Sequence, residues 1–332
     1  AMAKKPERRY ATAGALAERF RAAIEAVNAD QAKLERVALD EERAEIRAKR
    51  KRPNAPRAAA GPKPLLPIDQ TFEARYEIKE LLADDGDSQL LLANDTGSAR
   101  AVAVRIWRWA NLPAYWETLA RAAKVKGAAI VPILATGQSR NPDYLVTPHY
   151  SGGALGAWLA QGPMSLSTAA AVTVQIADAL NALHGHGLIH GWLSPQSILF
   201  DAERRAWLSL HDADREQGAA RPPHKYGARL LYASPQRMSG YRQLDWRTDI
   251  YSLGVILFEM LTGAPPFDGS APDELKKMHL TAAVPSARAR RPELPAAVDD
   301  VIKRALAKNP ADRYYTALDM RDALRRALAG RT

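Results

Sequence analysis

The chain has 332 residues, 47% of them hydrophobic, no cysteine and a formal net charge of +10. That length holds one large two-lobed domain with an extension, or two ordinary domains. Without cysteine there are no disulfides, thiolate metal sites or cysteine catalysis, which fits a reducing, cytoplasmic setting.

No apolar run reaches the ~18 residues of a membrane-spanning helix, and the charged start Ala1-Met2-Ala3-Lys4-Lys5 reads against a signal peptide. Residues 1–63 carry 16 Lys/Arg against 9 Asp/Glu, so most of the net charge lies there. Within them Phe20, Ile24, Val27, Gln31, Leu34 and Ala38 follow helical spacing. A basic helical extension is expected, either packed on its own domain or docking a protein partner. The run Lys49-Arg50-Lys51-Arg52 has no interleaved aromatics to stack on bases. It is read as solvated rather than as a nucleic-acid surface. Pro53, Pro56, Gly61, Pro62, Pro64 and Pro67 then mark a linker.

Short strand-like runs follow at Tyr76–Leu82, Gln89–Asn94, Ala101–Trp107, Ile130–Leu134 and Tyr144–Thr147, with a helix over Pro113–Lys126. Pro132 makes the fourth run an edge strand at best. Beyond residue 150 the pattern is helical. Thr168–His184 carries Val172, Ile176, Leu180 and Leu183 on one face, with Ser167 as the candidate N-cap. Asp249–Thr262 is apolar on nearly every side and should be a buried central helix. Further helices are expected at Asp273–His279, Ala296–Ala307 and Ala317–Leu328.

Residues 188–201 read Leu-Ile-His-Gly-Trp-Leu-Ser-Pro-Gln-Ser-Ile-Leu-Phe-Asp. His190, Leu193, Pro195 and the strand Ile198–Phe200 fit the frame of a protein-kinase catalytic loop, H-R-D-L-K-P-x-N. Ser234-Pro235-Gln236 stands at the A-P-E position, Asp249–Phe267 matches a family helix and loop, and Ala305–Arg313 matches the segment before the last helix. Over residues 70–329 the chain therefore resembles the bacterial Ser/Thr protein kinases. The resemblance implies an α+β, bilobal fold, with a small β-rich N-lobe at 70–148 and a helical C-lobe at 149–329.

The resemblance also implies where the working parts should stand. The catalytic Asp is replaced by Trp192, the Lys by Ser194, the metal-binding Asn by Ser197 and the Arg of H-R-D by Gly191. The glycine positions of the phosphate-covering turn are Ala83, Asp85 and Ser88, and three carboxylates there (Asp84, Asp85, Asp87) would repel a triphosphate. The strand Lys is Arg105, with Glu117 either its helix partner or a surface residue. D-F-G is matched by Asp212-Ala213-Asp214. Trp192 is then either a packing residue or a filler for the gap left by the missing Phe. Between Asp214 and Tyr232 there is no Ser or Thr to phosphorylate, while His190, Asp249 and Arg313 persist.

The expectation is a degenerate family member, a pseudokinase that is not an enzyme and uses no cofactor or metal. It would act as a protein-binding scaffold or regulatory module. Its partner would dock on the N-terminal helix, the pocket mouth or the helix near Asp273–His279. The alternative is a divergent phosphotransferase that holds nucleotide through Arg105, Glu117 and Asp212, with Asp214 or Asp201 as replacement base. A metal site at His184, His186 and His190 is the weaker reading, because no cysteine or adjacent acid accompanies them.

Overall fold

The computed structural model describes residues 65–330, apart from 85, 87, 109–112, 126–127, 138–142, 212, 214–226, 241–243 and 270. The helical extension expected at 1–63 lies outside the described residues.

Six strands form the N-terminal sheet: β1 (Thr71–Phe72), β2 (Tyr76–Asp84), β3 (Ser88–Asp95), β4 (Arg100–Trp107), β5 (Ala135–Gly137) and β6 (Tyr144–Pro148). Their order is β1-β2-β3-β4-β6-β5, antiparallel throughout. Side chains alternate along β4 with the two-residue period of a strand. Val102, Val104 and Ile106 join Ile78, Leu91, Ala93 and Val146 in one apolar cluster. Arg105 and Trp107 therefore point to the other face. Trp107 there meets Tyr115 and Trp116 edge-on, each with ring centroids 5.5 Å away. Those two residues belong to α1 (Pro113–Ala122), which is shorter than the expected helix over 113–126.

The run Ile130–Leu134 is not a strand. Ile130 makes a single parallel bridge to Leu208, and the edge strand begins at Ala135. Pro132 has no N–H to give a ladder, so pairing with the N-terminal sheet starts only beyond it.

The C-terminal part contains α2 (Leu155–Leu159), α3 (Leu166–Gly185), the hairpin β7 (Ile198–Phe200) with β8 (Ala206–Leu208), α4 (Pro235–Met238) and α5 (Arg247–Thr262). It ends with α6 (Pro272–Thr281), α7 (Ala287–Arg290), α8 (Ala296–Ala305) and α9 (Ala317–Leu328). The cap of α3 is Ser165, whose hydroxyl accepts from the Thr168 amide at 3.1 Å, rather than the expected Ser167. A serine two residues earlier extends the helix and meets the same orphan-donor requirement. Among the described residues, α3 is long and apolar enough by composition to cross a membrane, yet 50% of that stretch is buried inside the fold.

Helix α5 lies at the centre, packed against α3, α8 and α9. From Thr248 to Leu261 only Glu259 is not buried, which explains why its sequence lacks a polar face. Gly263, at φ 81°, terminates it in the left-handed conformation that favours glycine. Gly254 lets α8 approach closely, since a Cβ there would lie 2.8 Å from the Ala305 Cβ. Replacing Gly254 by Val should overpack this crossing and destabilise the fold by ~1–3 kcal/mol. The check is the urea denaturation midpoint, which should fall while the slope is unchanged.

Candidate functional site

The Asp249 carboxylate sits in the first turn of α5, fully buried. Its Oδ2 accepts from the His190 amide at 2.9 Å, and its Oδ1 accepts from the Gly191 amide at 2.7 Å. His184, from the end of α3, lies with its Nε2 2.8 Å from Oδ2. Burial pushes the Asp249 carboxyl up, but the His184 bond, the charges of His184 and His190 and the Gly191 amide outweigh it and hold it below its ordinary value. The His190 ring adds a second anchor by donating from Nε2 to the Ser209 carbonyl at 3.0 Å.

Within the loop so fixed, Ser194 and Ser197 are buried, with their hydroxyl oxygens 3.5 Å apart. Trp192 is 6% exposed and packs with Leu230, Ala233, Met238, Phe267 and Leu275. All of these lie in the C-terminal part, so the idea that Trp192 fills the inter-lobe gap is corrected. The Arg237 guanidinium lies 4.7 Å over the Trp192 ring and donates to the Gly191 carbonyl from Nε at 3.3 Å and Nη2 at 3.2 Å. Beside the loop is a cavity of about 310 Å³ lined by Gly156, Leu159, Ser194, Gln196, Tyr232 and Glu259. The Tyr232 hydroxyl donates to Glu259 at 2.7 Å, while burial raises the Glu259 carboxyl above its ordinary value.

On the sheet side, Arg105 donates from Nη1 to the Ser88 hydroxyl at 2.7 Å. Asp84 accepts from Gly86 N, Gln89 Nε2 and Arg108 Nη2, and Arg108 Nε returns to the Gly86 carbonyl. The Gln89 and Arg108 bonds hold the Asp84 carboxyl at about 2. Its charge is thus matched, which weakens the expected repulsion at this carboxylate; Asp85 and Asp87 lie outside the described residues. Glu117 is exposed on α1 and makes no ion pair with Arg105, which corrects the candidate pairing. The helix instead turns Tyr115, Trp116 and Leu119 inward, leaving Glu117 on the solvent side.

Tyr115 joins α1 to the segment before Asp212 by donating from its hydroxyl to the His211 carbonyl at 3.2 Å. Arg121 reaches the His186 carbonyl at 3.0 Å. Neither contact was foreseen; only the aromatic run Trp107, Tyr115, Trp116 hinted at it. Asp212 lies outside the described residues, and its neighbour Ala213 is buried in the main core. His184, His186 and His190 go to separate partners, namely Asp249, the Ala182 carbonyl and the Ser209 carbonyl. No grouping of three metal-ligating side chains occurs among the described residues.

The protein kinase domain family model matches residues 113–324. This chain belongs to the protein kinase family. It is 34% identical over 272 residues to the serine/threonine-protein kinase PknB of Mycobacterium tuberculosis, covering 77% of this chain and 43% of PknB. It is 33% identical over 281 residues to PknE of the same organism, covering 79% of this chain and 49% of PknE. The chain thus spans less than half the length of these curated relatives. The crystal structure of a mutant Mycobacterium tuberculosis PknI kinase domain shares the fold, with a TM-score of 0.63 at 23% identity. The match covers 79% of this chain and 99% of that one.

Family membership overturns the expectation that the chain is not an enzyme. A match across most of the C-terminal part, with relatives that are themselves Ser/Thr kinases, points to a kinase enzyme. The expectation weighted the replaced positions 191, 192, 194 and 197 above the kinase segments that persist on both sides of them.

A second buried joint lies at Arg313. Arg313 is 2% exposed and donates to the carbonyls of Ala307, Arg247 and Lys308 and to Gln236 Oε1. Burial lowers its guanidinium to about 10.

The folded Asp249 carboxyl titrates below an unfolded one. Its stabilisation is therefore complete above about pH 5 and is lost as the pH falls through the folded value. Asp249→Asn should cost ~2–4 kcal/mol at pH 7, because an amide cannot accept at both oxygen positions and buried donors lose their partner. Urea denaturation from pH 7 to 3 should show the gap between variant and parent narrowing toward acid.

Proposed function

We propose that this kinase-family chain serves as a regulatory module that binds a protein partner on the face carrying the loop 188–201. The observation that carries the reading is Trp192, buried under Arg237 at the centre of a loop whose anchors are retained, with a cavity open beside it. A buried indole offers packing where the family places a carboxylate, and an indole cannot accept a substrate proton. The cavity supplies what a docking partner needs, an apolar wall with a half-buried carboxylate in it. The basic stretch 1–63 is proposed as a second contact for the same partner.

Affinity capture with the full chain, the chain lacking 1–63 and Glu259→Arg tests this. One partner recovered by the full chain and lost in Glu259→Arg supports the proposal. Equal recovery by all three baits contradicts both contacts.

A second reading draws on family membership and on Arg105, which keeps a cation on β4. It is a divergent phosphotransferase holding nucleotide through Arg105 and Asp212. Without a carboxylate at 192, its rate should lie ~10²–10⁴-fold below that of a loop with a positioned base. Melting with ATP and Mg²⁺ or Mn²⁺ should then rise saturably in the parent but not in Arg105→Ala or Asp212→Ala, and phosphate transfer should fall in both variants.

A further inference from the structure

In kinases switched by phosphorylation, a cation in the catalytic loop reads a phosphate on the following segment. Here the loop position is Gly191, and residues 214–232 contain neither Ser nor Thr. The structure shows the opposite polarity of contact. The cation is Arg237, on α4 at the end of the segment, and the acceptor is the Gly191 carbonyl in the loop, reached from Nε at 3.3 Å and Nη2 at 3.2 Å.

Three features make this contact a firm one. The planar guanidinium also covers Trp192 at 4.7 Å, a cation–π arrangement that a lysine would match poorly. The Arg237 amide is fixed by the Ser234 hydroxyl at 3.3 Å, so the side chain projects from a capped helix. Below the stack, Leu230, Ala233 and Met238 close on Trp192, and the Ser252 hydroxyl donates to the Tyr232 carbonyl at 2.7 Å.

We infer that the Arg237–Trp192–Gly191 contact is a built-in clamp that holds residues 227–238 on the catalytic loop without a phosphate. The clamp keeps this segment in place whichever function the chain serves. A segment clamped in this way is ordered from the moment of folding, so no phosphorylation event sets its position.

Hydrogen exchange measured by mass spectrometry on the full chain tests this in four samples: parent, phosphatase-treated parent, Arg237→Ala and Arg237→Lys. The clamp predicts at least tenfold faster exchange across 227–238 in both variants, unchanged protection in α5, and no effect of phosphatase. If Arg237→Ala also loses protection in α5, the milder Arg237→Lys gives the reading. Unchanged exchange across 227–238 in the variants, or faster exchange after phosphatase, overturns the inference.

Discussion

A single buried carboxylate sets the geometry on which the candidate site depends. Asp249 accepts from two consecutive loop amides and from His184, joining the start of α5, the end of α3 and the loop. Backbone donors buried without a partner are costly, so the loop has little freedom to leave this position. The His190 ring then ties the loop to the Ser209 carbonyl beside the β7–β8 hairpin. Because α5 is buried along nearly all of its length, a shift to accommodate a different loop would disturb the core packed around it. The loop path is therefore fixed from below, independently of which side chains it presents above.

That independence lets the side chains presented by the loop vary without loss of the fold. Among the described residues, several polar groups at the site have partners inside the protein. Ser194 and Ser197 face each other, Arg105 turns to Ser88, and the Gly191 carbonyl and Trp192 ring are both covered by Arg237. Asp84, a carboxylate in the turn that would face phosphates, is neutralised by Arg108. Polar groups that would otherwise be left buried and unmatched are absorbed into local pairs.

The helical part of the fold could be read from sequence because burial there leaves a strong periodic or continuous apolar signal. The central helix was placed to within two residues at its start, and Ala317–Leu328 agrees at both ends. The kinase resemblance supplied the bilobal arrangement, which periodicity alone would not. The misreadings have local causes: Pro132 blocks pairing that the apolar run Ile130–Leu134 suggests, and Ser165 competes with Ser167 as a cap. At the site, the anchors His190 and Asp249 were legible from their motif. The surroundings of Trp192 were not, because Leu230, Arg237 and Leu275 come from distant stretches with no spacing rule linking them. Glu117 directly follows two inward-facing aromatics, Tyr115 and Trp116, so a small rotation of α1 decides whether it points to the sheet or to solvent.

The joint around Arg313 has a consequence for the conditions the fold tolerates. A buried arginine that meets a carboxylate is sensitive to acid, which discharges the acceptor. Arg313 instead rests on three carbonyls and the neutral Gln236 amide, so its acceptors do not titrate. Its attraction is to fixed dipoles at contact distance inside the protein, where mobile ions screen little. The acceptors that hold Arg313 therefore keep their strength as the pH falls and as salt rises, and what titrates at this corner on the basic side is Lys308, which burial lowers to about 8, and then the Arg313 proton itself, lowered to about 10.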